Sequence, residues 1–158
     1  MKAEEQRFWL AGKVEFTKDC WNWVGLKQTG GYGVFRSGGR PKPAHRVAWE
    51  LSFEPIPAGM VIDHICHNKA CVKPDHLRVV TMKQNIEHRL GATTSSKSGI
   101  RGVGWSKQAK KWRAVVTHHG RYVHVGYFAD IRDAERAAIA KRNELFTHND
   151  ADRFEVAA

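Results

Sequence analysis

Within 23 residues the chain gathers Asp63, His64, Cys66, Cys71, His76 and Asn85. No ordinary hydrophobic core needs that density of acid, imidazole, thiol and amide groups. The loop they share, Ile65 to Asp75, has few apolar side chains, so burial alone cannot order it. Thiolate and imidazole bind zinc in a tetrahedron. Cys66, Cys71 and His76 are spaced to curl a loop around one such ion. Cys20 is the only remaining thiol and can complete a Cys3His set. A closed set of four leaves no position for water, so this zinc is expected to be structural, and its ligation energy is folding energy. The alternative is that the cysteines are small buried hydrophobes.

Charge narrows the partner. The 158 residues carry a net charge of +10 and a pI near 9.8. Residues 1–94 hold 14 Lys/Arg against 9 Asp/Glu, and residues 95–158 hold 12 against 7. Both halves are therefore basic, and an anionic partner follows, nucleic acid first among candidates. No apolar run is long enough to span a bilayer, and the opening Met1-Lys2-Ala3-Glu4-Glu5 is no signal pattern. The expected location is cytoplasmic, at DNA. An odd number of cysteines argues against a disulfide framework.

Two modules follow from the composition. Gly91 to Gly99 is small and polar, without hydrophobic period, and reads as a linker. Before it, Glu4 to Ala11 predicts a short helix, Gly30 to Phe35 a turn entering a strand, and Pro43 to Phe53 a helix. Met60-Val61-Ile62 predicts a strand delivering Asp63 and His64 at its end. Leu77 to Val80 predicts a second strand, and Thr81 to Gln84 fits a capping box opening a helix through about Leu90. Trp9, Trp21 and Trp23 are expected in the core. After the linker, Arg101 to Trp105, Lys111 to Thr117 and Arg121 to Phe128 predict three strands. Asp130 caps a helix over 131–146, with Ile131, Ala134, Ala138 and Leu145 on one stripe.

The order strand, long loop, strand, helix, with Asp63-His64, His76 and Asn85, resembles the HNH, or ββα-metal, nucleases. The spacing of Cys66, Cys71, His76 and Asn85 after His64 is similar to the His-Cys box homing endonucleases, whose loop carries zinc. Cys20-Trp21-Asn22-Trp23, Gly31-Tyr32-Gly33 and His45-Arg46 resemble phage and intron-encoded HNH proteins. The resemblance covers roughly residues 7–90. It implies His64 as general base and Asn85 as a ligand of Mg²⁺ or Mn²⁺. Hydrolysis of a phosphodiester needs an activated water, a phosphate held in line and charge neutralisation. A neutral imidazole suits the first task, and an amide carbonyl suits a hard cation. Arg89, four residues after Asn85, would share its helix face and meet the phosphate. Arg46 is a second phosphate clamp. Asp63 is taken as a further cation ligand, as in many HNH enzymes, although the His-Cys box pattern leaves ligation largely to the Asn. His76 matches both the middle residue of the HNH motif and a zinc ligand; zinc is favoured, because Cys66 and Cys71 need partners.

Residues 99–147 resemble the AP2 DNA-binding domain through Arg101-Gly102-Val103, Trp105, Lys111-Trp112-Arg113-Ala114 and Val125-Gly126-Tyr127-Phe128, followed by an Ala-rich helix. The resemblance implies a three-stranded sheet laid in the major groove. Lys97 to Arg121 contains seven Lys/Arg and no acid. Strand alternation turns Trp112, Ala114 and Val116 to the helix and Arg113, Val115 and Thr117 outward. Arg101, Trp105, Lys107, Tyr122 and His124 are expected to extend that outer, DNA-binding face.

The fold class expected is α+β: a zinc-stabilised ββα-metal nuclease module over 1–90, a linker over 91–98, and an AP2-like sheet-plus-helix module over 99–158. The expected activity is metal-dependent cleavage of double-stranded DNA by a phage or homing enzyme, as monomer or homodimer. The alternative is a non-enzymatic, zinc-stabilised DNA-binding regulator; an RNA-directed protein is a weaker third.

Overall fold

Trp23 sits at the centre of the first core, and the short strands around it follow from what its indole needs. In the computed structural model, which describes residues 3–154, it is 1% exposed. It stacks on Phe8 with ring centroids 5.2 Å apart and meets Phe35 edge-on at 5.9 Å. Its indole nitrogen donates to the Leu26 carbonyl at 2.9 Å. Val14, Ala44, Val47, Ala48, Ile62, Val72 and Leu77 complete the cluster, with Trp9 and Trp21 partly buried against it. The three tryptophans thus lie in or on the core, with Trp23 taking the innermost place.

The chain divides into two compact units, Met1–Met82 and Lys83–Ala158. In the first, α1 (Ala3–Trp9) precedes three antiparallel pairs: β1 (Val14–Phe16) with β2 (Trp21–Trp23), β3 (Val34–Ser37) with β4 (Arg40–Pro43), and β5 (Val61–His64) with β6 (Leu77–Val80). Helix α2 (Ala44–Ser52) follows β4 directly and buries Ala44, His45, Val47 and Ala48. A single 3-10 turn, Pro74–His76, leads into β6.

The second unit takes in nearly all of α3 (Met82–Glu87) and a three-stranded antiparallel sheet in the order β7 (Val103–Ser106), β8 (Lys111–His118), β9 (Arg121–Phe128). Helix α4 (Ile131–Leu145) crosses this sheet, and α5 (Asp150–Phe154), which the sequence pattern does not announce, ends the described chain. Asp130 caps α4 by accepting from the Arg132 amide at 2.7 Å. The buried stripe of α4 is Ala134, Ala138 and Arg142 rather than Leu145. Alanine lets the helix lie close on Ala114 and Val103. Arg142 can be buried because Asp152 accepts from its Nε at 2.6 Å and from Nη2 at 2.9 Å, while the Arg101 carbonyl takes Nη1. A two-pronged pair with a carboxylate, with all three guanidinium nitrogens bonded, is the form in which a buried guanidinium is tolerated.

The sequence suggests a joint over 91–98, whereas the compact division falls before Lys83. Arg101 explains the difference. Its guanidinium donates to the carbonyls of Ile86, Glu87 and Arg89 at 3.0, 3.0 and 2.7 Å. Two of these carbonyls lie in the last turn of α3 and the third just beyond it, and a cation there also suits the helix dipole. The Glu87 carboxylate accepts from the Thr147 amide and hydroxyl. Residues 83–89 are thereby tied to the sheet unit.

Gly33 is fixed by packing. A Cβ there would lie 2.5 Å from the Trp23 ring and 3.0 Å from the Ala44 methyl. Gly33→Ala is expected to destabilise the first unit by about 1–3 kcal/mol, read as a lower melting temperature in tryptophan fluorescence. An unchanged melting curve would contradict this account of the core.

Candidate metal centre and active site

The loop after β5 is pinned by backbone pairing to β2. The Trp23 amide donates to the Ala70 carbonyl at 2.8 Å, and the Val72 amide donates to the Trp21 carbonyl at 2.7 Å. Asn22 and Cys71 form a β-bridge. This pairing is what carries Cys20, remote in sequence, to the loop cysteines. The ligand atoms of Cys20, Cys66, Cys71 and His76 all lie within 4.8 Å of one another. The Sγ atoms of Cys20 and Cys71 each stand 3.7 Å from His76 Nδ1. A tetrahedral zinc site, with bonds of about 2.3 Å to sulfur and about 2.0 Å to nitrogen, has ligand–ligand edges of roughly 3.5–3.8 Å. The donor set and its spacing fit one metal ion.

One of the thiols is already polarised toward ligation. Cys71 is fully buried, and its thiol is held well below the usual thiol range, chiefly by the hydrogen bond from the Cys66 thiol, against the opposing effect of burial. Cys66 is correspondingly pushed up by the same hydrogen bond and by burial. A cation among the three sulfurs would release the shared proton. If a metal holds this loop, chelation or Cys71→Ser is expected to abolish bound metal and open residues 65–76 to protease. Identical digestion patterns with and without a chelator would contradict that.

Cys71 has a second contact. Its carbonyl lies 3.1 Å from His64 Nε2. A carbonyl can only accept, so Nε2 carries the proton and the Nδ1 lone pair is left for other work. This is the orienting group for His64 that the sequence does not identify. His64 stands at the end of β5, 6% exposed. Burial lowers its pKa, opposed by the Cys71 carbonyl and by the nearby Cys71 and Asp63, so the neutral imidazole is the form present at pH 7.

Asp63 and His64 leave β5 on opposite faces, as successive strand residues do. Asp63 pairs across the hairpin with Arg78, whose Nε donates to its Oδ2 at 2.9 Å. His64 turns toward two aromatic neighbours for which sequence reading gave no role. The ring of His45, on α2, is 4.7 Å from that of His64, and the Tyr32 ring is 5.5 Å from His45 and 5.9 Å from His64. Lys69 Nζ stands 5.7 Å over Tyr32. Burial, then the neighbouring His64 and Arg46, hold the His45 imidazole down at about 3. A histidine on the apolar stripe of α2, between Ala44 and Val47, is the signal that could have found it. Arg46 lies half-buried on the same helix.

Asn85 is half-buried on α3, in the second unit. Arg89 lies two residues beyond the last residue of α3, where its carbonyl accepts from Arg101. The helix-face argument that joined Arg89 to Asn85 therefore fails, because Arg101 and the tight turn from Ile86 to Arg89 end the helix first.

The sheet face also differs from strict alternation. Trp105 pairs with Trp112, on the face that Ala114 turns to α4, with the two rings 5.1 Å apart. Gly104 takes the outward place on β7. Arg101 serves as the cap of α3, and Lys107 is exposed on the β7–β8 turn. Arg113, Thr117, Tyr122 and His124 are exposed on the outer face. A register shift at Ala114/Val115 adds a residue to β9, which sets Tyr127 outward, opposite Arg113 and 4.8 Å from the His124 ring. Gly126 was the sequence sign of that bulge. Arg89, Arg113, Tyr122 and His124 line a groove of about 1020 Å³ in this unit.

Residues 42–86, which include α2, Asp63, His64 and the loop ligands Cys66, Cys71 and His76, match the family model of the HNH endonuclease. The chain is 38% identical over 77 residues to Protein 3.8 of Escherichia phage T7, covering 49% of this chain and 63% of that protein. It is 37% identical over 70 residues to Protein 7.7 of the same phage, covering 44% and 54%. It is 43% identical over 42 residues to the Uncharacterized gene 5.3 protein of Enterobacteria phage T3, covering 27% and 42%. The chain thus spans less than two thirds of the length of each of these relatives. No solved structure matches it. No helix among the described residues is long and apolar enough to cross a membrane.

Proposed function

We propose that this chain is a metal-dependent endonuclease of the HNH type, phage-encoded, that hydrolyses phosphodiester bonds of double-stranded DNA in the cytoplasm of the infected cell. The observation that carries the reading is the hydrogen bond between His64 and the Cys71 carbonyl, inside the segment that matches the HNH family model. It leaves Nδ1 of a buried, neutral imidazole as a base.

His64 Nδ1 takes a proton from a water molecule as that water's oxygen bonds to phosphorus, and the bond from phosphorus to the leaving oxygen breaks. By the family resemblance Asn85, with Asp63 as the further ligand, would hold a divalent cation, Mg²⁺ or Mn²⁺, whose charge would offset that gathering on the phosphate and the leaving oxygen. Arg46 and Arg89 bind phosphate. Cys20, Cys66, Cys71 and His76 would hold zinc, and a four-ligand set of this kind would make it structural. Nuclease residues lie in 1–90, and 99–158 serves as an AP2-like DNA-binding module.

The second module is supported by its three-stranded sheet with α4 across the back, and by Arg113, Thr117, Tyr122 and His124 on the open face. Arginine reads guanine edges best, and lysine more often meets phosphate. Gly104 on the outer face of β7, where an AP2-like sheet is richest in arginine, leaves Arg113 as the main candidate for base contact.

Purified protein is expected to nick plasmid DNA with Mg²⁺ and to stop when EDTA is added. His64→Ala is expected to lose about 10²–10⁴-fold in rate while still retarding DNA in a gel. A variant that cuts as fast as the parent would show that His64 is not the base.

A further inference from the structure

His45 is buried at the site and unused by the reaction described above. It is 8% exposed, and its Nδ1 is buried with no hydrogen-bond partner among the described residues. Buried polar groups are nearly always paired. An imidazole left unpaired in a core faces a standing penalty, and a hydrophobic residue would fill the same place on α2 without it. The orphan nitrogen therefore points to a partner from outside the chain.

The surroundings specify that partner. The ring lies 4.7 Å from His64, the base of the proposed reaction. Arg46 is the next residue on α2 and close enough to act on its charge. Lys69 stands over Tyr32, whose ring is 5.5 Å from His45. The cationic neighbours favour an anion that offers oxygen acceptors. Held neutral by burial, His45 still carries one N–H to donate. A half-turn about Cβ–Cγ exchanges each ring nitrogen with a ring carbon, and either nitrogen of the neutral ring can carry the proton, so the donor is His45 by residue rather than by atom.

We propose that His45 is a further catalytic residue, donating a hydrogen bond from its neutral imidazole to a non-bridging oxygen of the scissile phosphodiester, beside the water that His64 activates. The proposal rests on the nuclease reading. A fixed donor aimed at an oxygen that gains charge in the transition state acts on kcat more than on KM.

Two measurements on the full, metal-loaded chain test it: plasmid nicking by the parent, His45→Ala and His45→Gln, and the side-chain ¹⁵N resonances of the parent with a nuclease-resistant phosphorothioate dinucleotide. His45→Ala is expected to lower kcat about 10- to 100-fold with little change in KM. His45→Gln, which keeps an N–H, is expected to recover part of the loss, with zinc content and melting temperature unchanged in both. The His45 nitrogen resonances are expected to move on adding the dinucleotide. Cleavage by His45→Ala at the parent's rate overturns the proposal. So does an equal loss in both variants accompanied by lower melting temperature, which marks a packing role. If the parent cuts nothing, the nuclease reading fails by itself, and the resonances still decide: a shift at His45 supports the phosphodiester contact, and none overturns it.

Discussion

Cys71 joins the two halves of the candidate site through one residue. Its sulfur is one of four ligand atoms within 4.8 Å, and its carbonyl fixes the His64 ring at 3.1 Å. Its backbone bridges to Asn22, which ties both contacts to the first core. The loop from Ile65 to Asp75 has little apolar surface with which to hold that carbonyl still. Backbone pairing to β2 holds residues 70–72, and four ligands converging on a metal would hold the rest of the loop and steady the group that selects the His64 tautomer. In the proposed reading the structural metal therefore has a catalytic consequence without touching substrate. It orients the base through one carbonyl, as second-shell groups orient ligands at metal sites.

Much of this was legible in the sequence because it depends on local pattern. The strands of the β5–β6 hairpin, the α2 helix and the cap at Asp130 follow from apolar spacing and a capping side chain. The loop ligands Cys66, Cys71 and His76 follow from residue type and spacing, since few other roles need two thiols and an imidazole so close. Cys20 enters the set from the sequence only as the remaining thiol. The cause of its convergence with the loop, the pairing of β2 with residues 70–72, is a long-range backbone contact that no local pattern encodes.

The failures have the same origin. Arg101 looks like a DNA-binding arginine from composition, and it caps α3 because three carbonyls at and just beyond the helix end lie within reach of its guanidinium. Trp105 was counted outward, and the register with Trp112 turns it to the other face. Tyr127 was missed, because a single extra residue in β9 reverses alternation beyond it. His45 was read only as part of a family motif. Its burial against His64 is what gives it chemistry. Each of these concerns a polar or aromatic side chain whose partner is distant in sequence; on α4 the same cause puts Arg142, paired with Asp152, on the buried stripe in place of Leu145.

The central claim is that one ion, held by three sulfurs and one imidazole, organises the loop that orients His64. X-ray absorption at the zinc edge of the purified chain tests it most directly, together with metal content. The account predicts one zinc per chain, with three sulfur ligands at about 2.3 Å and one nitrogen at about 2.0 Å. A folded protein free of zinc, or one whose zinc is bound by oxygen and nitrogen alone, would contradict it.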